Sequence, residues 1–181
     1  MEKFLKGYCL VANYALSDPN FAQTVVFIID HNVGGAFGLV VNRPTKWKLG
    51  EMLPDLPDSI LEKEVYQGGP VQPETLFILH NDPLVSDPGE EVIPGVFLGA
   101  RPNLLDELAE AESNFHVYHG YSGWAPKQLE SEMAAKAWVP VKATEKIIFH
   151  PKPEKVWREA LEYRGGLYEY FARNVKDPFM N

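Results

Sequence analysis

Val25-Val26-Phe27-Ile28-Ile29, then Asp30-His31-Asn32-Val33-Gly34-Gly35, then Ala36-Phe37-Gly38-Leu39-Val40-Val41 is the stretch that decides how this chain folds. Both apolar runs are short and unbroken, which is the pattern of strands buried on both faces. The connection between them has hairpin length, and its glycines allow positive φ. The second run stops abruptly at Asn42-Arg43-Pro44. A core strand pair therefore delivers an amide, a guanidinium and a proline to one edge of the core.

Working outward, Tyr8–Ala12 reads as a first strand. Ser17-Asp18-Pro19 reads as a helix start, a capping side chain followed by Pro at the first helical position. Downstream, Leu49–Leu53 fits one helical turn before Pro54, followed by a Pro/Asp-rich loop over Asp55–Ser59. Val65–Gln67 reads as a strand ending at Gly68-Gly69-Pro70, and Thr75–His80, Val96–Gly99 and Phe115–Tyr118 as further strands. Asn81–Glu91, with Pro83, Pro88 and Gly89, reads as a surface loop. Asn103–Ala111 suits a helix with Leu104, Leu105 and Leu108 on one face. Gly120–Trp124 reads as a glycine turn leading to a helix that Pro126 opens and that runs to about Ala137. Trp138–Val141 returns as a strand. Pro153 opens a last clear helix, Glu154–Tyr163, stopped by Arg164-Gly165-Gly166. Leu167–Ala172 fits either a helical turn or an edge segment. Strands and helices do not alternate regularly, so the expectation is α+β or irregular α/β rather than a doubly wound parallel sheet.

The 181 residues suit one domain over 1–181 with a single sizeable core. A net charge of −8 argues against broad nucleic-acid binding, because Lys and Arg neutralising phosphates supply most non-specific affinity. Cys9 is the only cysteine, so no internal disulfide forms and a reducing compartment is expected. Met1–Lys6 lacks the apolar run of a signal peptide, and no window approaches a membrane span. The expected location is the cytoplasm, without membrane association.

Long motifs in fixed order resemble the YqgE/AlgH (UPF0301) family of uncharacterised bacterial proteins. They are Asp18-Pro19-Asn20-Phe21, Thr24-Val25-Val26, His31, Gly35 through Pro44, Gly68-Gly69-Pro70-Val71, Leu76 through His80, and Pro94-Gly95-Val96. Gly120 through Pro126 with Gln128-Leu129-Glu130, and Asp177 through Asn181, complete the set. The chain departs from the family pattern at Asn13-Tyr14, where Pro is frequent, and at Lys127, where Gly is frequent. The resemblance implies a single compact α+β domain: a mixed or antiparallel sheet core, partly barrel-like, surrounded by helices. It implies no established enzymatic activity and no cofactor. Some members carry a transcriptional-regulator label that came from a genetic association rather than a DNA-binding motif.

Gly120-Tyr121-Ser122-Gly123-Trp124 invites comparison with a G-x-S-x-G nucleophile elbow but fails at its last position, where tight packing needs glycine. The bland alternative is a turn in which Ser122 bonds to backbone. His116 and His119 lie three apart on a strand and point to opposite faces, so no metal is expected there. His31 and His80 are acid–base candidates only if folding brings a carboxylate beside them. Cys9 lies in an apolar strand and reads as a small hydrophobe. The residues singled out as a ligand or interaction site are Asn42, Arg43, Gly68, Gly69, Pro70, Tyr121, Ser122 and Trp124. Arg43 offers a planar fork for carboxylate or phosphate, and the glycines allow close approach of a ligand. The competing structural reading pairs Arg43 with an internal Asp or Glu and gives the glycines only a turning role. No residue set completes a catalytic constellation. The expectation is therefore a binding or interaction protein with a regulatory role, its partner an unknown protein or small molecule. The alternative is a hydrolase-like enzyme acting on a small anionic substrate.

Overall fold

A computed structural model describes residues 4–14, 16, 18–99, 101 and 103–174. Along the chain run β1 (Tyr8–Ala12), β2 (Val25–Asn32), β3 (Gly35–Val40), β4 (Pro44–Lys48), α1 (Leu49–Met52), α2 (Asp58–Leu61), β5 (Glu64–Gln67) and β6 (Val71–His80). There follow β7 (Glu90–Ile93), β8 (Val96–Gly99), α3 (Leu104–Glu110), β9 (Phe115–Trp124), α4 (Gln128–Ala134), β10 (Trp138–Lys142), α5 (Glu145–Ile148), α6 (Pro153–Arg164) and α7 (Leu167–Asn174). The fold is α+β: one curled, largely antiparallel half-barrel sheet with helices around it.

The strand order is β10-β1-β2-β3-β9-β6-β8-β7, with β5 added beside β9 and β4 beside β5. The β2–β3 pair is the apolar hairpin that the two runs predict, and residues 25–29 are all buried. Its turn is tighter than expected: the strands continue through Asn32 and resume at Gly35, with a bulge between Ile28 and Asp30. Pairing of β5 with β9 is parallel, and the other pairs are antiparallel.

The ten-residue strand β9 joins the two halves of the sheet. Its first half pairs with β5 and β6, and its second half, Ser122–Trp124, pairs with β3. Gly120, at φ +66, is the corner between them. Opposite it, β6 carries an irregularity between Val71 and Leu76.

Several expectations need correction. Gly120–Trp124 is strand, not turn, because Ser122–Trp124 pairs with Ala36–Gly38 in β3 and Tyr121 with Val71 in β6. Asp18–Gln23 forms turns rather than a helix: the Phe21 and Ala22 amides both donate to the Asp18 carbonyl (3.0 and 2.8 Å). The Ser17 cap and the Asp177–Asn181 motif lie outside the described residues. The helix attributed to Pro126 begins at Gln128 and ends at Ala134, after Lys127 at φ +67. That left-handed conformation favours glycine, the residue the resemblance leads one to expect there. Leu167–Asn174 is helical. The segments read as loop, 55–59 and 81–91, run at their ends into the short helix α2 and the strand β7, and like β4 and α5 these short elements carry no periodic signal.

Two apolar clusters fill the interior. The larger lies among β1–β3, β10 and α6, and Trp157 of α6 donates its indole N–H to the Ala12 carbonyl (2.8 Å). The smaller gathers Leu49, Ile60, Val65, Ile78, Leu104, Leu105, Leu108, Phe115 and Val117 beneath α1, α2 and α3.

Candidate functional site

Of the eight residues singled out from the sequence, Gly68 and Gly69 meet Tyr121 and Ser122 of β9, Asn42 and Arg43 bind the 19–25 segment, and Trp124 pairs with Ala36 at the start of β3. Their polar groups have internal partners. Asn42 Oδ1 accepts from the Val25 amide (2.8 Å), and its Nδ2 donates to the Gln23 carbonyl (2.9 Å). Arg43 donates to the carbonyls of Asn20, Pro19 (3.3 Å) and Ala22 (3.0 Å). Its guanidinium is thus spent on the 19–22 turn, and no carboxylate among the described residues forms an ion pair with it. Burial lowers the Arg43 pKa, partly opposed by Asp18. The turn it holds places Phe21 against Trp138 (5.6 Å between ring centroids) and Trp124 (6.4 Å). Arg43→Ala should therefore cost about 2 kcal/mol of stability, since three carbonyls lose a charged donor that is only half-buried. Urea unfolding of wild type, Arg43→Ala and Arg43→Lys checks this. The ammonium of Lys lacks the fork and should restore less than half of the loss.

The glycines serve backbone proximity. Gly68 donates to His119 (2.9 Å) and accepts from the Val40 amide (2.8 Å). A Cβ on Gly68 would lie 2.4 Å from the Gly120 carbonyl oxygen, and one on Gly69 would lie 2.2 Å from the Tyr121 carbonyl carbon. Chain, not ligand, occupies that approach. Pro70 is exposed beside it. Ser122 is fully buried and its hydroxyl donates to the Gly68 carbonyl (3.1 Å). A hydroxyl so placed has no access to substrate, which removes the elbow geometry. Tyr121 packs its ring against Phe37 (5.1 Å). Trp124 and Trp138 both donate their indole N–H to Glu132 Oε2 (2.8 Å each), and Gln128 donates to Oε1 (3.0 Å).

The histidines differ in how far they are engaged. His80 is buried, its Nε2 2.9 Å from the Pro88 carbonyl and its Nδ1 accepting from the Asp82 amide (3.3 Å). His31 Nδ1 accepts from the Leu5 amide (3.0 Å), leaving Nε2 3.4 Å from Glu130. His116 and His119 do face opposite sides of β9. His116 stacks on Tyr66 (4.5 Å), and burial first, then Lys63, pushes its pKa down to about 4. His119 lines a small pocket with Trp47, Glu51 and Met52. Cys9 is fully buried, and burial raises its thiol pKa strongly. No cluster of three or more His, Cys, Asp or Glu able to hold a metal occurs among the described residues.

Open space lies elsewhere. A cleft of about 560 Å³ is cut into the smaller cluster. Leu76, Ile78 and Val117 form its sheet wall, Leu53 and Leu56 come from the segment after α1, and Leu105 comes from α3. Because Val117 opposes Ile78 and His119 opposes Leu76, the small Trp47 pocket continues along the same sheet face. Asp55, Asp106, Asn103 and Arg101 mark the rim, with Arg101 paired to Asp87 (2.6 Å). These residues were missed because they are spread from 53 to 117. The one local signal is Leu56, an apolar residue inside the Pro/Asp-rich stretch 55–59.

The family model described as AlgH-like matches residues 9–169. A UPF0301 protein of Chlorobium phaeobacteroides is 33% identical over 184 residues, covering 99% of this chain and 97% of its own. One from Streptomyces coelicolor is 35% identical over 195 residues, covering 98% and 95%. The solution structure of the AlgH protein from Pseudomonas aeruginosa matches with a TM-score of 0.77 at 31% identity, over 97% of this chain and 99% of that one. A crystal structure of a Corynebacterium diphtheriae protein matches with a TM-score of 0.80 at 18% identity, over 94% and 93%, which speaks for the fold alone.

Proposed function

The chain belongs to the AlgH-like family, and on that premise we propose that it is a binding protein rather than an enzyme, receiving a small, largely apolar molecule in the cleft between α1 and α3. The cleft carries this reading. Its volume of about 560 Å³ falls within the usual size of small-molecule sites. Six aliphatic side chains line it, with a few polar groups at the rim to orient a ligand. Catalysis would require a nucleophile with a base in reach, or an acid–base pair open to substrate. Ser122 is buried on a carbonyl, the ring nitrogens of His80 have backbone partners, and His31, the histidine candidate with a carboxylate beside it (Glu130, 3.4 Å), has a side chain only 1% exposed.

A regulatory role, in this reading, works through occupancy of the cleft. The acidic balance of the chain disfavours direct contact with DNA. A cytoplasmic setting accords with a sole, buried cysteine. No described helix is long and apolar enough to cross a membrane.

Nile red, a neutral apolar dye, serves as the probe. It should bind saturably with a rise in fluorescence. Leu76 is only partly buried, so Leu76→Trp projects into the cleft without overpacking the core. That variant should bind Nile red at least about tenfold more weakly at an unchanged urea midpoint. Equal binding by wild type and Leu76→Trp, with loss instead in Leu167→Ser on the exposed face of α7, would refute the assignment.

A further inference from the structure

On the far side of Val117 lies a second, smaller cleft of about 220 Å³, lined by Lys63, Glu64, Tyr66, Asn114, Phe115, His116, Val117 and Phe149. We infer that this cleft binds a small oxyanion, a carboxylate or phosphate group, through Lys63, Tyr66 and Asn114. The inference does not depend on the apolar cleft.

Its basis is a convergence of unused donors. An ammonium, a phenol and a carboxamide line one cavity, and none of the three has a hydrogen-bond or ion-pair partner among the described residues. Lys63 rests instead over the Phe115 ring, its Nζ 4.6 Å from the centroid. Its backbone is fixed where α2 passes into β5: its amide donates to Ile60 (3.1 Å) and its carbonyl accepts from Leu49 (2.8 Å). The Lys63 ammonium therefore starts from a defined point rather than from a free loop. Glu64, the one carboxylate lining the cleft, lies 3.6 Å from Lys48 Nζ.

The aromatic wall is also set. Tyr66 lies parallel to His116 at 17°, and Phe149 meets the same imidazole edge-on at 5.4 Å. His116 is neutral at pH 7 because burial and Lys63 disfavour its charge, so Lys63 carries the sole positive charge on the lining. The Tyr66 phenol is pushed up to about 12, chiefly by burial and then by Glu64 and Glu154, so it remains an O–H donor. A cation with two neutral donors, screened by rings, is a donor set suited to an oxyanion. Bound there, an anion would offset the repulsion that Lys63 exerts on His116 and raise the imidazole pKa.

The test is NMR of the His116 imidazole and the Lys63 side chain in the full chain at pH 7. Sodium phosphate and sodium acetate are titrated against sodium chloride at matched ionic strength. A saturable shift with phosphate or acetate, absent with chloride, together with a rise in the His116 pKa, supports the site, and the anion that saturates at lower concentration identifies the group. Lys63 and Asn114 are exposed, so Lys63→Met and Asn114→Ala leave the core intact. Lys63→Met should weaken the anion about tenfold or more. Asn114→Ala should weaken it severalfold. Shifts that follow ionic strength equally for all three salts, or anion affinity unchanged in Lys63→Met, would overturn the assignment.

Discussion

Gly69→Ala should leave the protein largely unfolded at room temperature, a loss of more than about 4 kcal/mol, which is a large part of the stability of a typical domain. The added methyl would stand 2.2 Å from the Tyr121 carbonyl carbon, 2.3 Å from its oxygen and 2.4 Å from the Ser122 nitrogen. All three are backbone atoms of β9. That strand cannot retreat, because it is paired to β3, β5 and β6. The same crossing constrains Gly120, whose Cβ would lie 2.5 Å from the Gly69 oxygen. Gly95 supplies the control. It sits at φ +79 with nothing within 4 Å of its Cβ, so Gly95→Ala should cost only about 1 kcal/mol, the strain of the left-handed backbone. Urea unfolding followed by tryptophan fluorescence separates the two. A Gly69→Ala protein within about 1 kcal/mol of wild type would show that the crossing is looser than described.

The second large effect is acid destabilisation through His116. Its pKa is about 4 in the folded chain against 6.5 for an unhindered imidazole, because burial and the Lys63 ammonium disfavour the cation. A depressed histidine means that the unfolded chain binds more protons than the folded one between those values. Stability from this residue is therefore complete above pH 6.5 and falls as pH drops toward 4, by up to about 3 kcal/mol. His116→Phe keeps a ring against Tyr66 and Phe149 but cannot titrate. Urea midpoints at pH 7, 5.5 and 4.5 should fall more steeply for wild type than for His116→Phe. Parallel pH profiles would contradict the buried, neutral imidazole.

The hairpin core was legible because Val25–Ile29 and Ala36–Val41 are unbroken apolar runs, and both faces of such strands are covered in the fold. Gly120–Trp124 misled for the opposite reason. Two glycines in five residues look like a turn locally, but here they serve long-range contacts. Gly120 turns a strand corner beside Gly69, and Gly123 pairs with Phe37. Tertiary pairing overrode the local preference, as it commonly does for glycine in strands. Asp18-Pro19 failed as a helix start because the chain reaches β2 within a few residues, and Arg43 claims the carbonyls of Pro19, Asn20 and Ala22. Of the candidate residues, Gly68 and Gly69 meet Ser122 and Tyr121, a contact that no local pattern signals. What each faces was not legible. A guanidinium suited to an anion is equally suited to carbonyls, and only the fold decides between them. Neither cleft has a local signature, because Leu53, Leu76, Leu105 and Val117, like Lys63, Tyr66 and Asn114, meet only through β-pairing over long sequence separation.

The central proposal is that a small apolar molecule binds in the aliphatic cleft between α1 and α3, and not at the glycine–arginine segment, whose polar groups have internal partners. Intermolecular NOEs between bound Nile red and assigned side chains test it most directly. Contacts are expected to the methyl groups of Leu76, Ile78, Leu105 and Val117, with none to the Arg43 side chain or the Gly68 and Gly69 α-protons. Contacts concentrated on Arg43, Gly68 and Gly69, with those four methyl groups silent, would contradict it.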